Sequence, residues 1–170
     1  MTMKLATACV ILSLFLFGCV TTAPRAVPKA DLSSGGAVAV WDLEDVSPMG
    51  AAQPDLAEFV TARVIETLKA QGARVVEREK LVAVLKELSL GESQLADPKT
   101  QLRIGRLSGA KRMVFGGYQV IGKSMRIDLR LVDVETGRVL TAAKRIAEGS
   151  DLGGWLDAAA EAARELSGEK

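Results

Sequence analysis

The hydrophobic positions change their rhythm twice along the chain. Val10 to Phe17 is an almost unbroken apolar run. From Ala37 the stretch AVAVWDLED begins apolar and turns acidic, which suits a buried strand. Leu56, Val60, Val64 and Leu68 then recur every fourth residue, with Phe59 and Ile65 beside them. That period predicts an amphipathic helix opening at Pro54-Asp55 and closing at Gly72. ARVVE (73–77) predicts a second short strand. Leu81, Val84, Leu85 and Leu88 predict a helix closed by Gly91. Asp97-Pro98, an N-cap followed by proline at the first helical position, predicts a third helix with Leu102 and Leu107 inward, ending near Gly109.

After Gly109 the period shortens to two. MVFGGYQVIGKSMRIDLRLVDVETGRVLTAAKRI predicts three strands joined by tight turns. Gly122-Lys123 fits a two-residue hairpin loop with glycine first. Counting back from it pairs Val114, Gly116, Tyr118 and Val120 with Leu131, Leu129, Ile127 and Met125 on one apolar face. The opposite face pairs Phe115, Gly117 and Gln119 with Arg130, Asp128 and Arg126. Thr136-Gly137 makes the next turn. A two-residue loop and a three-residue loop with a bulge give it different registers, and the pattern does not choose between them. Leu152, Trp155, Leu156, Ala159, Ala163 and Leu166 predict a last helix. The order implies one α/β domain over 37–170. Its mixed five-stranded sheet, a parallel βαβ part followed by an antiparallel meander, packs with about four helices.

Composition removes several chemistries. The 22 Lys and Arg nearly cancel the 21 Asp and Glu, so no basic field draws nucleic acid. There is no histidine, the commonest general base and metal ligand. Both cysteines, Cys9 and Cys19, precede the domain, which leaves it no thiolate, disulfide or zinc site. Only Ser–Lys chemistry stays open, so an enzyme is not expected and no cofactor is implied.

Residues 1–18 combine a short basic start with an apolar stretch too short to span a bilayer. Leu16-Phe17-Gly18-Cys19 resembles the lipobox of bacterial lipoproteins. The resemblance implies cleavage before Cys19, with diacylglycerol on its thiol and a further acyl chain such as palmitate on the new amine. Several chains together give a stable anchor. Val20, where inner-membrane lipoproteins often carry Asp, implies sorting to the outer membrane, and the protein is expected on its periplasmic side. Residues 19–36 read as the lipidated cysteine and a flexible tether carrying Pro24, Pro28, Ser33, Ser34, Gly35 and Gly36. Thr21 to Gly36 extends about 55 Å at full stretch.

Other clusters have plain readings. Asp42, Glu44 and Asp45 follow the first strand, where a carboxylate group could hold Ca²⁺ or Mg²⁺, but a solvated junction accounts for them. Gly105, Gly109, Gly116 and Gly117 match no phosphate-loop spacing and read as a cap and close backbone approaches. Glu77, Arg78 and Glu87 read as ion pairs orienting a helix. Trp41 and Trp155 read as core before interface anchors. Lys144 and Arg145 guard a strand (139–146) expected at the sheet edge. With Arg126, Asp128 and Arg130 they form the candidate interface, a mixed-sign surface suited to a wet contact.

VVERE–KLVAVLKEL, IGRLSGAKRMVFGGY and LRLVDVETGRVL together resemble the CsgG-like family, from about Ala37 to Ile146. That family includes the periplasmic domain of the curli secretion channel and LpoB-, FlgO- and TolB-N-terminal-like lipoproteins. Matching positions are Glu77-Arg78, Leu81, Leu85, Glu87, Gly109-Ala110, Gly116, Leu131-Val132-Asp133 and Thr136-Gly137. The resemblance implies a non-enzymatic accessory or assembly factor in secretion, surface-structure or envelope assembly. It would act through protein contacts with an envelope partner and at most weak homo-oligomerisation. An LpoB-like activator of a penicillin-binding protein is the alternative, and a small-ligand binder or hydrolase the weaker one. The chain has no room for membrane-crossing hairpins like those of the curli pore. Its tether is also shorter than the long one typical of LpoB.

Overall fold

The computed structural model describes Leu32 and residues 35–48, 55–88 and 97–168. The lipobox and Cys19 lie outside the described residues, as does most of the expected tether. The strands are β1 (Val38–Val40), β2 (Glu44–Asp45), β3 (Arg112–Ile121), β4 (Ser124–Asp133) and β5 (Val139–Ala147). The helices are α1 (Leu56–Ala70), α2 (Arg78–Leu88), α3 (Pro98–Leu107) and α4 (Leu152–Ser167). The sheet runs β1-β3-β4-β5, with β2 also on β3. β1 and β2 are parallel to β3, and β3, β4 and β5 form the antiparallel meander.

The first hairpin has the register read from Gly122-Lys123. Val120 faces Met125, Tyr118 faces Ile127, Gly116 faces Leu129 and Val114 faces Leu131. Gly122 takes a φ of 61°, which a residue with a side chain rarely adopts. All of these partners except Gly116 are buried beneath α1 and α4. Each large apolar side chain hidden in this way contributes roughly 1.5–3 kcal/mol. On α1 the inward stripe is Leu56, Val60, Val64 and Leu68, as the period required. α4 contributes Trp155, Leu166 and the small residues Ala158, Ala159, Ala162 and Ala163, which let it sit close to α1.

A second, smaller core lies on the other face. Leu81 of α2 and Ile104 of α3 close over Ala39 and Met113, with Ala110 and Val134 completing the cluster. Asp97 caps α3 by accepting from Thr100 N at 2.9 Å, with Pro98 at the start, as its sequence signature implied. Gly105 gives Met113 its space, since a Cβ there would lie 2.2 Å from the Met113 sulfur.

Several expectations need correction. ARVVE forms no strand of its own, only one parallel bridge between Val75 and Val38. The fifth strand is instead Glu44–Asp45, an exposed polar pair. Phe59 and Leu107 point outward, 50% and 54% exposed. Phe59 lies off the four-residue stripe of α1. Leu107 lies off the stripe of α3, whose buried positions are Gln101, Ile104 and Gly105. The second hairpin follows neither loop considered. Its tip spans Val134 to Gly137, the Asp133 carboxylate accepts from Thr136 N at 2.8 Å, and Val132 pairs with Val139. A bulge then brings Leu131 opposite Thr141. Leu32, within the segment read as tether, is buried in the main core.

Candidate functional site

α2 and α3 cover only one end of their face of the sheet. Beyond Phe115, no described helix packs on the side chains of Gln119, Arg126, Asp128 and Arg130. A trough of about 520 Å³ opens there, walled by Trp41, Phe115 and Gln101 at the covered end. β2 forms one side and Lys144 of β5 the other.

The ladder register explains its shape. Glu44, Gly117, Asp128 and Lys144 are successive partners across β2, β3, β4 and β5, so they form one rung. Gly117 supplies no side chain, and the rung has a gap at its second position. A Cβ at Gly117 would sit 2.8 Å from the Glu44 carbonyl oxygen, so the gap also lets β2 lie close. The adjacent rung is Phe115, Arg130 and Ala142. Alanine keeps the floor low, while Phe115 and Trp41 make an aromatic end wall.

The charges divide into engaged and unengaged groups. Arg126 donates through Nε and Nη2 to the two oxygens of Asp128, at 2.6 and 2.8 Å. That carboxylate raises the Arg126 pKa further, and the pair is internally neutral. No hydrogen bond or ion pair with another described residue engages the side chains of Glu44, Arg130 or Lys144. An unengaged carboxylate therefore stands on one side of the trough and two unengaged cations on the other.

The candidate interface is only partly assembled. Arg126, Asp128, Arg130 and Lys144 share the open face. Arg145 does not: it is the partner of Ile127, on the covered side, and pairs with Glu161 and Glu165 of α4. The bulge sets this parity, which no alternation in the sequence announces. Trp41, Glu44, Phe115, Gly117 and Ala142 line the site but were not singled out for it. The hairpin count had placed Phe115 and Gly117 beside Arg130 and Asp128. The missing signal was the position of β2.

The acidic trio has separate attachments. Asp42 accepts from Arg78 at 2.6 Å, which ties the start of α2 to the end of β1. Lys69 bridges to Glu77 at 3.2 Å and fixes the other side of that turn. Asp45 accepts from Ser47 N at 2.9 Å and bonds the Tyr118 hydroxyl; the bond with the Ser47 side chain leads in lowering its pKa. Burial first, and then Asp45, push Tyr118 up to about 12. Among the described residues no group of three or more acidic, cysteine or histidine side chains is placed to hold a metal ion. Trp155 is buried, its indole N–H donating to Gly149 O at 2.8 Å. Gly116 and Gly117 are close backbone approaches, and Gly109 turns the chain after α3 at a φ of 83°. No described helix is long and apolar enough to cross a membrane.

A family model described as curli production assembly/transport component CsgG matches residues 25–122. No curated protein matches the sequence. Among solved structures, the LpoB C-terminal domain from Salmonella enterica superposes with a TM-score of 0.59 at 15% identity, over 71% of this chain and 87% of that one. The PelC dodecamer from Paraburkholderia phytofirmans gives 0.54 at 16% identity, over 81% and 89%. Lipoprotein GNA1162 from Neisseria meningitidis gives 0.55 at 16% identity, over 72% and 91%. At these identities the likeness is one of fold.

Proposed function

The chain belongs to the CsgG family, and on that premise we propose that it is a lipoprotein anchored through Cys19 to the periplasmic side of the outer membrane. There it serves as a non-enzymatic accessory or assembly factor acting through protein contacts. The observation that carries this reading is the uncovered end of the sheet. Among the described residues one face of the sheet is left open at this end, and unengaged charges line it. The lipoprotein among the structural relatives supports the anchor, and the dodecamer supports a capacity for weak self-association at a membrane surface. Residues 1–18 are then a signal peptide, and the chain between Cys19 and the domain a tether.

A second reading, a regulator of a peptidoglycan synthase, is supported by the likeness to LpoB. The short tether weighs against it, since the domain stays near its own membrane.

Two measurements test the proposal. Cys19→Ala should move the protein from the membrane to the soluble fraction, and an unchanged distribution would refute the anchor. A photo-crosslinking residue at Arg130 in intact cells should capture an envelope protein, while one at Glu66 on α1 should not. Crosslinks only to a second copy of the chain would replace the accessory role with self-assembly.

A further inference from the structure

The trough has a polarity that a general docking surface does not need. Its Glu44 side is anionic and its Arg130 and Lys144 side is cationic; between Glu44 and Lys144 lie Gly117 on β3 and Asp128 on β4, with Ala142 two residues from Lys144 on β5. Asp128 also lies on that rung, but Arg126 already satisfies both of its oxygens. Glu44 and Lys144 are separated by three strand spacings, about 14 Å. Four residues of extended peptide span about 13–14 Å. The volume of about 520 Å³ lies within the range of small-ligand sites.

From this match of charge, spacing and volume we infer that the trough binds a short extended peptide of about four residues with both ends free. The peptide lies across the strands. Its terminal carboxylate is held by Arg130 and Lys144, and its terminal ammonium by Glu44. Guanidinium and ammonium donors suit a carboxylate, and a carboxylate accepts from the three N–H groups of an ammonium. Phe115 and Trp41 form the wall against which an apolar side chain of the peptide rests. Gly117 leaves the path low at β3 and Ala142 leaves room beside Lys144 on β5, while at β4 the path passes Asp128, whose carboxylate is turned to Arg126 along the strand.

This inference rests on the reading that the uncovered end of the sheet is the working face, and it assigns that face a ligand. The test is calorimetric titration of the full chain in detergent with free-ended peptides of two to six residues, based on Ala-Leu-Leu-Ala. Affinity should peak at four residues. N-acetylation, C-amidation, Glu44→Lys and Lys144→Glu should each weaken binding about five- to tenfold, or about 1–1.4 kcal/mol. In Trp155→Phe, where Trp41 is the remaining tryptophan, fluorescence should shift with the four-residue peptide, which locates the binding. Absence of binding by every length up to about 1 mM overturns the inference. Affinity that ignores both end blocks also overturns it, in favour of an internal protein segment. Either failure leaves the crosslinking result at Arg130 untouched.

Discussion

Leu129 and Arg130 are neighbours in β4, and they lie in two differently built regions. Leu129 is 2% exposed beneath α1 and α4, in a core that runs the length of the sheet. Arg130 faces the other way, at the rim of the trough, where α2 and α3 have stopped short. Strand alternation makes both faces from one segment, but the described helices finish only one of them. Stability is therefore concentrated on the covered face. The open face can change its chemistry without loss of the fold.

The sharpest way to break that contrast is to place the same kind of change on each side of it. Leu129→Asp should abolish cooperative unfolding, because a carboxylate would replace apolar packing with no described partner in reach. The expected loss is about 4 kcal/mol or more. Arg130→Ala should stay within about 0.5 kcal/mol. Equal losses by chemical denaturation would show that the two faces do not differ as described.

A smaller effect comes from volume alone. Ala159 is fully buried on α4, whereas Ala142 stands on the trough floor. Ala159→Leu should cost about 1–3 kcal/mol through overpacking, while Ala142→Leu should leave the melting temperature nearly unchanged. A comparable drop for both would mean that the trough floor is as tightly filled as the core.

The mildest probe sits where β2 meets the covered face. Tyr118 is the only tyrosine in the chain, so an ultraviolet titration reads it alone. Its midpoint should fall near 12 rather than 10, and unfolding should return it towards 10. The folded pKa is raised, so the associated stability is present below pH 10 and is lost as pH rises from 10 to 12. Tyr118→Phe should remove that part of the alkaline loss. An unshifted midpoint would place Tyr118 in solvent and detach β2 from the core.

What could be read in advance follows the range of the forces. The β3–β4 register was legible because Gly122-Lys123 permits one tight turn and the apolar alternation agrees with it. The inward residues of α1 were legible because four of them repeat on one face. β2 was not, since Glu44 and Asp45 carry no strand pattern. Its place depends on Ser47 Oγ accepting from Val120 N at 2.9 Å, and on Asp45 meeting Tyr118. Arg145 was placed on the exposed edge because a bulge of one residue reverses which face follows it. The trough inherits both blind spots. Its cationic rim could be anticipated, but its anionic rim could not. Membership of the CsgG family was legible in the spacing of residues between Glu77 and Gly137, and the family match covers most of that stretch.

The way β1 is fastened has a mechanical consequence. Val38 donates to Arg74 O at 2.9 Å and accepts from Val76 N at 2.8 Å on one side. On the other, Ala37 accepts from Lys111 N at 2.8 Å, and Trp41 donates to Val114 O at 2.9 Å. The strand nearest the N-terminus is thus held from both flanks and runs parallel to β3. A pull entering before Ala37, with the load taken by a partner at the far end of the sheet, acts along these strands. It stretches the flanking hydrogen bonds together in shear instead of peeling them singly. The end of the domain where β1 begins is built to carry tension.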